Sequence, residues 1–449
     1  MTPRTFFLAT LGCAAALRLL LVFFTPALFA PDEAGHLLYI HEIAIHHVLP
    51  VQTLDGIWAN NNGAEDFYHT PLYYLLLSPI YRLFWPAHAV LYVLRLTSVA
   101  FGLTTVVLIR SIVREHFPDS PWAAELAALF AAFQPVFVAV TSSVNNDALS
   151  LLLMVLVLQH LARLVRDGTS LSRLLLLSTL LSVAVYVKVS ALVLFPAFLV
   201  AGVLVPARRT SDRALVLLPA ACALGAILPW WVVRNQHAYG SLLALDMNWA
   251  VPTGPLYLRI IHETLWTAIT FWFALGRRNE IINAPWIVIL LSAVLYIVSR
   301  RLSTRWQFMS RSQRGALLLA LVPLLLGFAQ SLEYAINLGF SQGRYLLPGL
   351  TALSLIFGLG FAHADDPQQP PRRALAAGAV TTALWLLFLA TIVAPGFAAV
   401  HVDHSVGGQT SQPAFHTGDL DTWVIHRTAA TRAEDACFRT TQSRFSRRC

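Results

Sequence analysis

The sequence predicts an all-α integral membrane protein of about eleven transmembrane helices, with amphipathic juxtamembrane helices in its first outer loop. Three observations carry that expectation. The 449 residues are 57% hydrophobic and only 12% charged, a balance foreign to soluble chains of this length. Apolar runs of ~20 residues, enough to cross a bilayer, recur along the chain. The arginines gather in alternate connections between those runs.

The spans are expected at 5–29, 90–112, 121–141, 148–165, 172–187, 189–206, 214–232, 284–299, 315–332, 346–362 and 374–395. The first run is too long for a signal-peptide core, and Leu28 and Ala30 make a poor cleavage site, so it reads as a retained helix. One set of connections carries Arg110 and Arg114, Arg163 and Arg166, Arg208, Arg209 and Arg213. The same set continues with Arg300, Arg301, Arg305, Arg311 and Arg314, then Arg372 and Arg373. The positive-inside rule places these in the cytoplasm together with the N-terminus. Facing outward are the first loop 30–89, the loop after Asn145, the segments 234–283 and 333–345, and the tail. The chain divides into a polytopic unit, 1–395, and a polar C-terminal tail, 396–449, on the outer side.

Segment 70–86 is apolar but short and contains Pro71 and Pro79. Counting it as a span would put every later arginine cluster outside. It is therefore expected to lie in the interface, where Tyr73, Tyr74, Tyr81, Phe84 and Trp85 fit. His41, His46 and His47, interleaved with Ile40, Ile43, Ile45 and Val48, read as the wet face of an amphipathic interfacial helix.

The net charge of +8 is almost all arginine, with Lys188 as the one lysine. Because the arginines sit in short loops as topology signals, nucleic acid is not implied as a partner. Cys13 and Cys222 lie in apolar segments, while Cys437 and Cys449 lie in the tail and could pair in an oxidising compartment. No zinc-binding spacing is present.

Chemistry is expected where charge is placed at the outer membrane boundary. Asp32 and Glu33 are adjacent carboxylates at the end of the first span, a costly position unless solvated or used. His36 follows at helical spacing, so all three can face one cavity. A carboxylate there could act as general base on an acceptor hydroxyl or, with Asp32 and His36 together, help hold a divalent cation. The plainer reading of the acids is helix capping, which accounts for one better than for two. His69, in Tyr68-His69-Thr70-Pro71, is a candidate wall of the same cavity. Asp147, after Asn145 and Asn146, is either part of a helix cap or a second site acid on that membrane face. Lys188, between two apolar runs, either snorkels or meets a lipid phosphate. Arg344, followed by Tyr345, is the arginine of an outer loop that otherwise avoids it, and a guanidinium fork suits a phosphate gaining charge. Its alternative is an ion pair with Glu333 or with one of the acids above. Arg234, Arg277 and Arg278 are weaker candidates of this kind. Arg18 is mid-span and needs a partner inside the bundle.

Together these motifs resemble the C-type fold glycosyltransferases, multi-spanning enzymes that include the protein O-mannosyltransferases and the aminoarabinose transferase of lipid A. The resemblance rests on Asp32-Glu33 opening the first outer loop, Pro71-Leu72-Tyr73-Tyr74 within it, and Asp147 in the second outer loop. Lys188 with Ser190 and Gly343-Arg344-Tyr345 with Pro348 complete it, and it covers roughly 1–395. The set is similar to that of bacterial members of the superfamily. The resemblance implies a polyprenyl-phosphate-linked sugar as donor and a lipid, glycan or protein as acceptor. It implies Asp32 as base with Glu33 in support, and Arg344 and Lys188 as phosphate ligands. Thr70-Pro71 stands where many relatives have two prolines, and the tail holds no evident acceptor-binding domain.

The expected function is therefore hexosyl or pentosyl transfer, with inversion, on the outer face of a bacterial inner membrane. A secondary transporter is one alternative, since intramembrane charges also mark ion paths, but the two broken-helix halves it needs are not evident. A ligase or polymerase of surface polysaccharide is another. It would be expected to keep its key residues in a large late outer loop.

Overall fold

The computed structural model describes residues 2–25, 27, 30, 32–51, 67–85, 89–206, 210–240, 254–275, 280–281, 285–303, 306–337 and 341–362. The expected span 374–395, the tail 396–449 with Cys437 and Cys449, and Arg277 and Arg278 lie outside the described residues.

The helices are α1 (Pro3–Phe24), α2 (Glu33–His41), α3 (Leu72–Phe84), α4 (Ala89–His116), α5 (Pro121–Phe133) and α6 (Pro135–Val140). They continue with α7 (Asn146–Asp167), α8 (Leu171–Val187), α9 (Phe195–Leu204), α10 (Thr210–Leu215), α11 (Leu218–Leu228) and α12 (Gln236–Tyr239). After α13 (Leu256–Phe273), β1 (Ala274–Leu275) pairs antiparallel with β2 (Glu280–Ile281); α14 (Pro285–Ser303), α15 (Arg311–Asn337) and α16 (Leu350–Phe361) follow. Among the described residues six helical stretches are long and apolar enough to cross a membrane: α1, α4, α7, α15, the series Thr210–Tyr239, and Gly343–Phe361. Pro121–Phe133, Leu171–Val187 and Val189–Leu204 are shorter apolar helices. The protein is an all-α integral membrane protein.

Local sequence sets the helix ends. The Thr2 hydroxyl accepts from Thr5 N–H with Pro3 in the first turn, and Asn145 accepts from Asp147 N–H at 2.9 Å to open α7. Gly168, at φ 91°, ends α7 where a side chain would be strained. The expected span 121–141 is two helices. Pro135 has no N–H and drives Gln134 out of helical backbone. The Gln134 side chain repairs the break, its Oε1 accepting from Phe137 N–H and its Nε2 donating to the Phe271 carbonyl, both at 2.6 Å. Likewise 189–206 opens with a 3-10 turn, Val189–Leu194, before α9. The stretch expected as the outer loop 234–283 contains the 18-residue α13, packed on α15.

The core lies between α5 and its neighbours α1, α4 and α16, and between α7 and α4, α8 and α15. Arg18 finds its partners there. Its Nε donates to Thr141 Oγ1 at 2.9 Å and its Nη1 to the Ala132 carbonyl at 3.0 Å. Segment 70–86 is the 13-residue α3, which packs on α2, α4 and α8. That packing corrects one expectation. All nine residues of α2 are buried, because Tyr73, Tyr74, Leu77 and Tyr81 of α3 close over it. His41, expected on a wet face, is 1% exposed, with its Nδ1 2.9 Å from the Tyr81 hydroxyl. His46 and His47 are exposed.

Candidate active site

Asp32 opens α2 in the left-handed region, at φ 59°. Few non-glycine residues adopt that conformation, aspartate more readily than most. The carboxylate makes no capping hydrogen bond to α2. It is turned instead to the Nη1 of Arg344, 312 residues away in sequence. The Asp32 side chain is 35% exposed and that of Arg344 17%, so the pair is open to a ligand.

Arg344 is delivered by the turn Gly343–Gly349, which is fastened to α13. Gly343 N–H donates to Thr270 Oγ1 at 2.8 Å, and a Cβ at Gly343 would collide with the Phe271 backbone. Ser341 N–H donates to Glu263 Oε2 at 2.7 Å. The Ser341 hydroxyl joins those of Thr267 and Ser331 in a buried triad. Tyr345 meets the Tyr334 ring edge-on at 4.8 Å.

Glu33 has a different occupation from the one its adjacency to Asp32 suggests. Its carboxylate is fully buried and takes both Nε (2.8 Å) and Nη2 (2.6 Å) of Arg95, with Val144 N–H at 3.0 Å. Arg95 Nη1 also donates to the carbonyls of Val22 and Thr25, at 2.9 and 2.8 Å. This knot ties the start of α2 to the end of α1, to α4 and to the turn before α7. Glu33 positions Asp32 and does not share its opening.

Asp147 and Lys188 form a second pair. Lys188 ends α8 in extended backbone and places Nζ 2.6 Å from Asp147 Oδ1, with 18% and 14% of the side chains exposed. His36 feels the charges of both pairs. Its Nδ1 is 3.0 Å from the Tyr74 hydroxyl, which also accepts from Asn146 Nδ2 at 3.3 Å. His36 Nε2 and Asn146 Oδ1 are buried with no protein partner. The His69 ring is 5.9 Å from that of His36, and its turn is pinned by Thr70 Oγ1 donating to the Val185 carbonyl. Arg234 lies apart, its Nη2 donating to the Pro50 carbonyl at 2.6 Å and its guanidinium over Trp230.

Electrostatics link these groups into one site. Burial would raise the Asp32 carboxyl, but the Arg344 guanidinium, with His36 and Lys188, outweighs it and holds the group at about 2. Burial lowers His36 to about 4, against the opposing pull of Asp32, and lowers His69 well below the usual histidine range. Burial thus favours the neutral imidazole at His36 and His69, and the charged side chains of the site are paired, Asp32 with Arg344 and Asp147 with Lys188.

A divalent cation does not fit this donor set. No group of three or more His, Cys, Asp or Glu among the described residues is arranged to hold a metal. No step below is routed through one.

The structure therefore brings Asp32, His36, His69, Asp147, Lys188 and Arg344 together, with Tyr345 beside Arg344 and Glu33 behind Asp32. Sequence reasoning passed over Arg95, Asn146 as a ligand of Tyr74, and the Glu263–Ser341 anchor. Arg95 carried a usable signal, since an arginine within an apolar helix demands a partner inside the bundle.

Residues 68–233 match the family described as Dolichyl-phosphate-mannose-protein mannosyltransferase. No curated protein sequence matches the chain. Among solved structures, the chain is similar to ArnT from Cupriavidus metallidurans bound to undecaprenyl phosphate, at 15% identity and TM-score 0.55, over 94% of this chain and 69% of that one. Apo ArnT gives 16% identity and the same TM-score of 0.55, over 95% and 70%. The oligosaccharyltransferase AglB from Archaeoglobus fulgidus, in complex with an inhibitory peptide and a dolichol-phosphate, matches at 14% identity and TM-score 0.50 over 90% of this chain and 56% of that one. The fold is that of the C-type glycosyltransferases.

Proposed function

We propose that this protein is a membrane glycosyltransferase that moves a sugar from a polyprenyl-phosphate donor to an acceptor hydroxyl, with inversion, at the outer face of a bacterial inner membrane. The observation that carries the reading is the meeting of half-buried Asp32 and Arg344, electrostatically linked to Asp147 and Lys188, in this fold. The polyprenyl phosphates in the ArnT and AglB structures support a donor of that class.

The chemistry uses what the site holds. The acceptor oxygen bonds to the anomeric carbon from the face opposite the phosphate, and its proton passes to an Asp32 carboxylate oxygen. The bond from the anomeric carbon to the phosphate oxygen breaks, and its electron pair stays on the phosphate. The phosphate thereby gains a second negative charge, which Arg344 and Lys188 offset. Asp32 loses a charge as the phosphate gains one, so the net charge of the site is constant through the step. His36 and His69, both neutral, are suited to sugar hydroxyls. Positive-inside topology places this end of the helices outside, with the N-terminus cytoplasmic and the tail 396–449 extracytoplasmic. The sugar is a hexose or a pentose, and the acceptor a lipid, glycan or protein.

The test is release of undecaprenyl phosphate from a panel of undecaprenyl-phosphate sugars by purified wild type and Asp32→Asn. Release by wild type alone is the expected result. A well-folded wild type that neither binds nor cleaves any member of the panel would overturn the reading.

A further inference from the structure

Both cations assigned to the donor phosphate already hold an anion. Arg344 contacts Asp32, and Lys188 Nζ lies 2.6 Å from Asp147. A carboxylate presents to a guanidinium or an ammonium the same charge-assisted acceptor oxygens as a phosphate, so the two anions have overlapping claims on one cation. Resting on the glycosyl-transfer reading above, we propose that Asp32 and Asp147 are internal competitors of the lipid phosphate. On this proposal, binding of the phosphate draws Arg344 and Lys188 away from the carboxylates and leaves Asp32 free to act as base.

The burial of the pairs supports exchange here and not elsewhere. Side chains in the two site pairs are between 14% and 35% exposed, so each pair keeps an edge that a ligand can reach. The neighbouring Glu33–Arg95 pair is 0% and 1% exposed and is held by further bonds to Val144, Val22 and Thr25. An incoming phosphate would have to dismantle the fold to take Arg95, but only to displace one carboxylate to take Arg344. The exchange also bears on reactivity. While Arg344 is in place it makes Asp32 a weak base, and its departure removes the strongest of the charges that oppose burial. A site without donor then holds no competent base.

Binding of undecaprenyl phosphate to protein in nanodiscs tests this. Asp32→Asn removes the competitor and should tighten binding about tenfold, the order expected of one close charge pair at a binding site. In an Arg344→Ala background, which itself binds at least tenfold more weakly, the same change should do nothing. Asp147→Asn should behave likewise, with its gain cancelled by Lys188→Ala; that arm keeps the test open if an Asp32 variant does not fold. Unchanged or weaker binding by both aspartate variants would overturn the competition, since the acids would then be helping to hold the phosphate. If Arg344→Ala and Lys188→Ala leave binding at the wild-type level, the donor-phosphate reading itself falls.

Discussion

Helix α7 carries an acid–base cluster at each end, and the two are built differently. Near its C-terminus, Glu115 of α4 is saturated: Arg163 supplies Nε at 2.7 Å and Nη2 at 2.5 Å, Gln159 adds a bond at 2.7 Å and Ser111 one at 2.9 Å. Near its N-terminus, roughly 24 Å away along the helix, Asp147 and Asp32 each meet one cation among the described residues. A saturated carboxylate has nothing left to offer a ligand. A carboxylate with one partner, at an opening, can change that partner. The contrast separates fastening from chemistry, and the knot at Glu33–Arg95 belongs with the fastenings although it is next to Asp32 in sequence.

The sharpest way to break the comparison is Asp32→Asn. Transfer should fall by about 10³-fold or more, with the thermal unfolding midpoint in detergent unchanged; a drop in the midpoint would move Asp32 among the structural groups. Arg95→Ala should do the reverse, costing roughly 3–5 kcal/mol of stability by leaving Glu33 buried and unpaired, read as a lower unfolding midpoint. Arg344→Lys keeps the charge and loses the fork, and kcat/KM should fall by about 10²-fold; retention of full activity would argue for a simple point charge. Glu115→Gln should cost about 1 kcal/mol and leave the transfer rate intact, since that cluster only fastens. A further test is in pH. His36 binds its proton at about 4 in the folded chain and near 6.5 when unfolded, so its contribution is complete above pH 6.5 and declines as pH falls towards 4. Unfolding midpoints of wild type and His36→Gln should converge across that window as it is lost.

Much of the site was legible because charge in an apolar chain stands out. Asp32, Asp147, Lys188 and Arg344 were visible as groups that the membrane boundary makes expensive. What joined them was not visible. Pairing across 312 residues, Asp32 to Arg344, follows from how the helices pack and not from spacing. The hydroxyl triad of Thr267, Ser331 and Ser341 was not visible, since neutral hydroxyls leave no pattern in the sequence. The full burial of α2 was missed because His41 suggests a wet face in isolation; only the tyrosines of α3 enclose it. The break at Pro135 was legible and was overridden by hydropathy, which measures length of apolar run and not continuity of helix.

The separation of the two arginine partners along the chain sets an order on biogenesis. Glu33 meets an arginine 62 residues downstream and Asp32 one that is 312 downstream. At synthesis rates of ~5–20 residues per second, the second partner emerges roughly 15–60 s after Asp32 itself. The knot with Arg95 forms early and sets the start of α2 while most of the protein is still unmade. Asp32 therefore waits in its final position, without its cation, until the last helices insert, and the nascent chain acquires its scaffold well before it acquires its site.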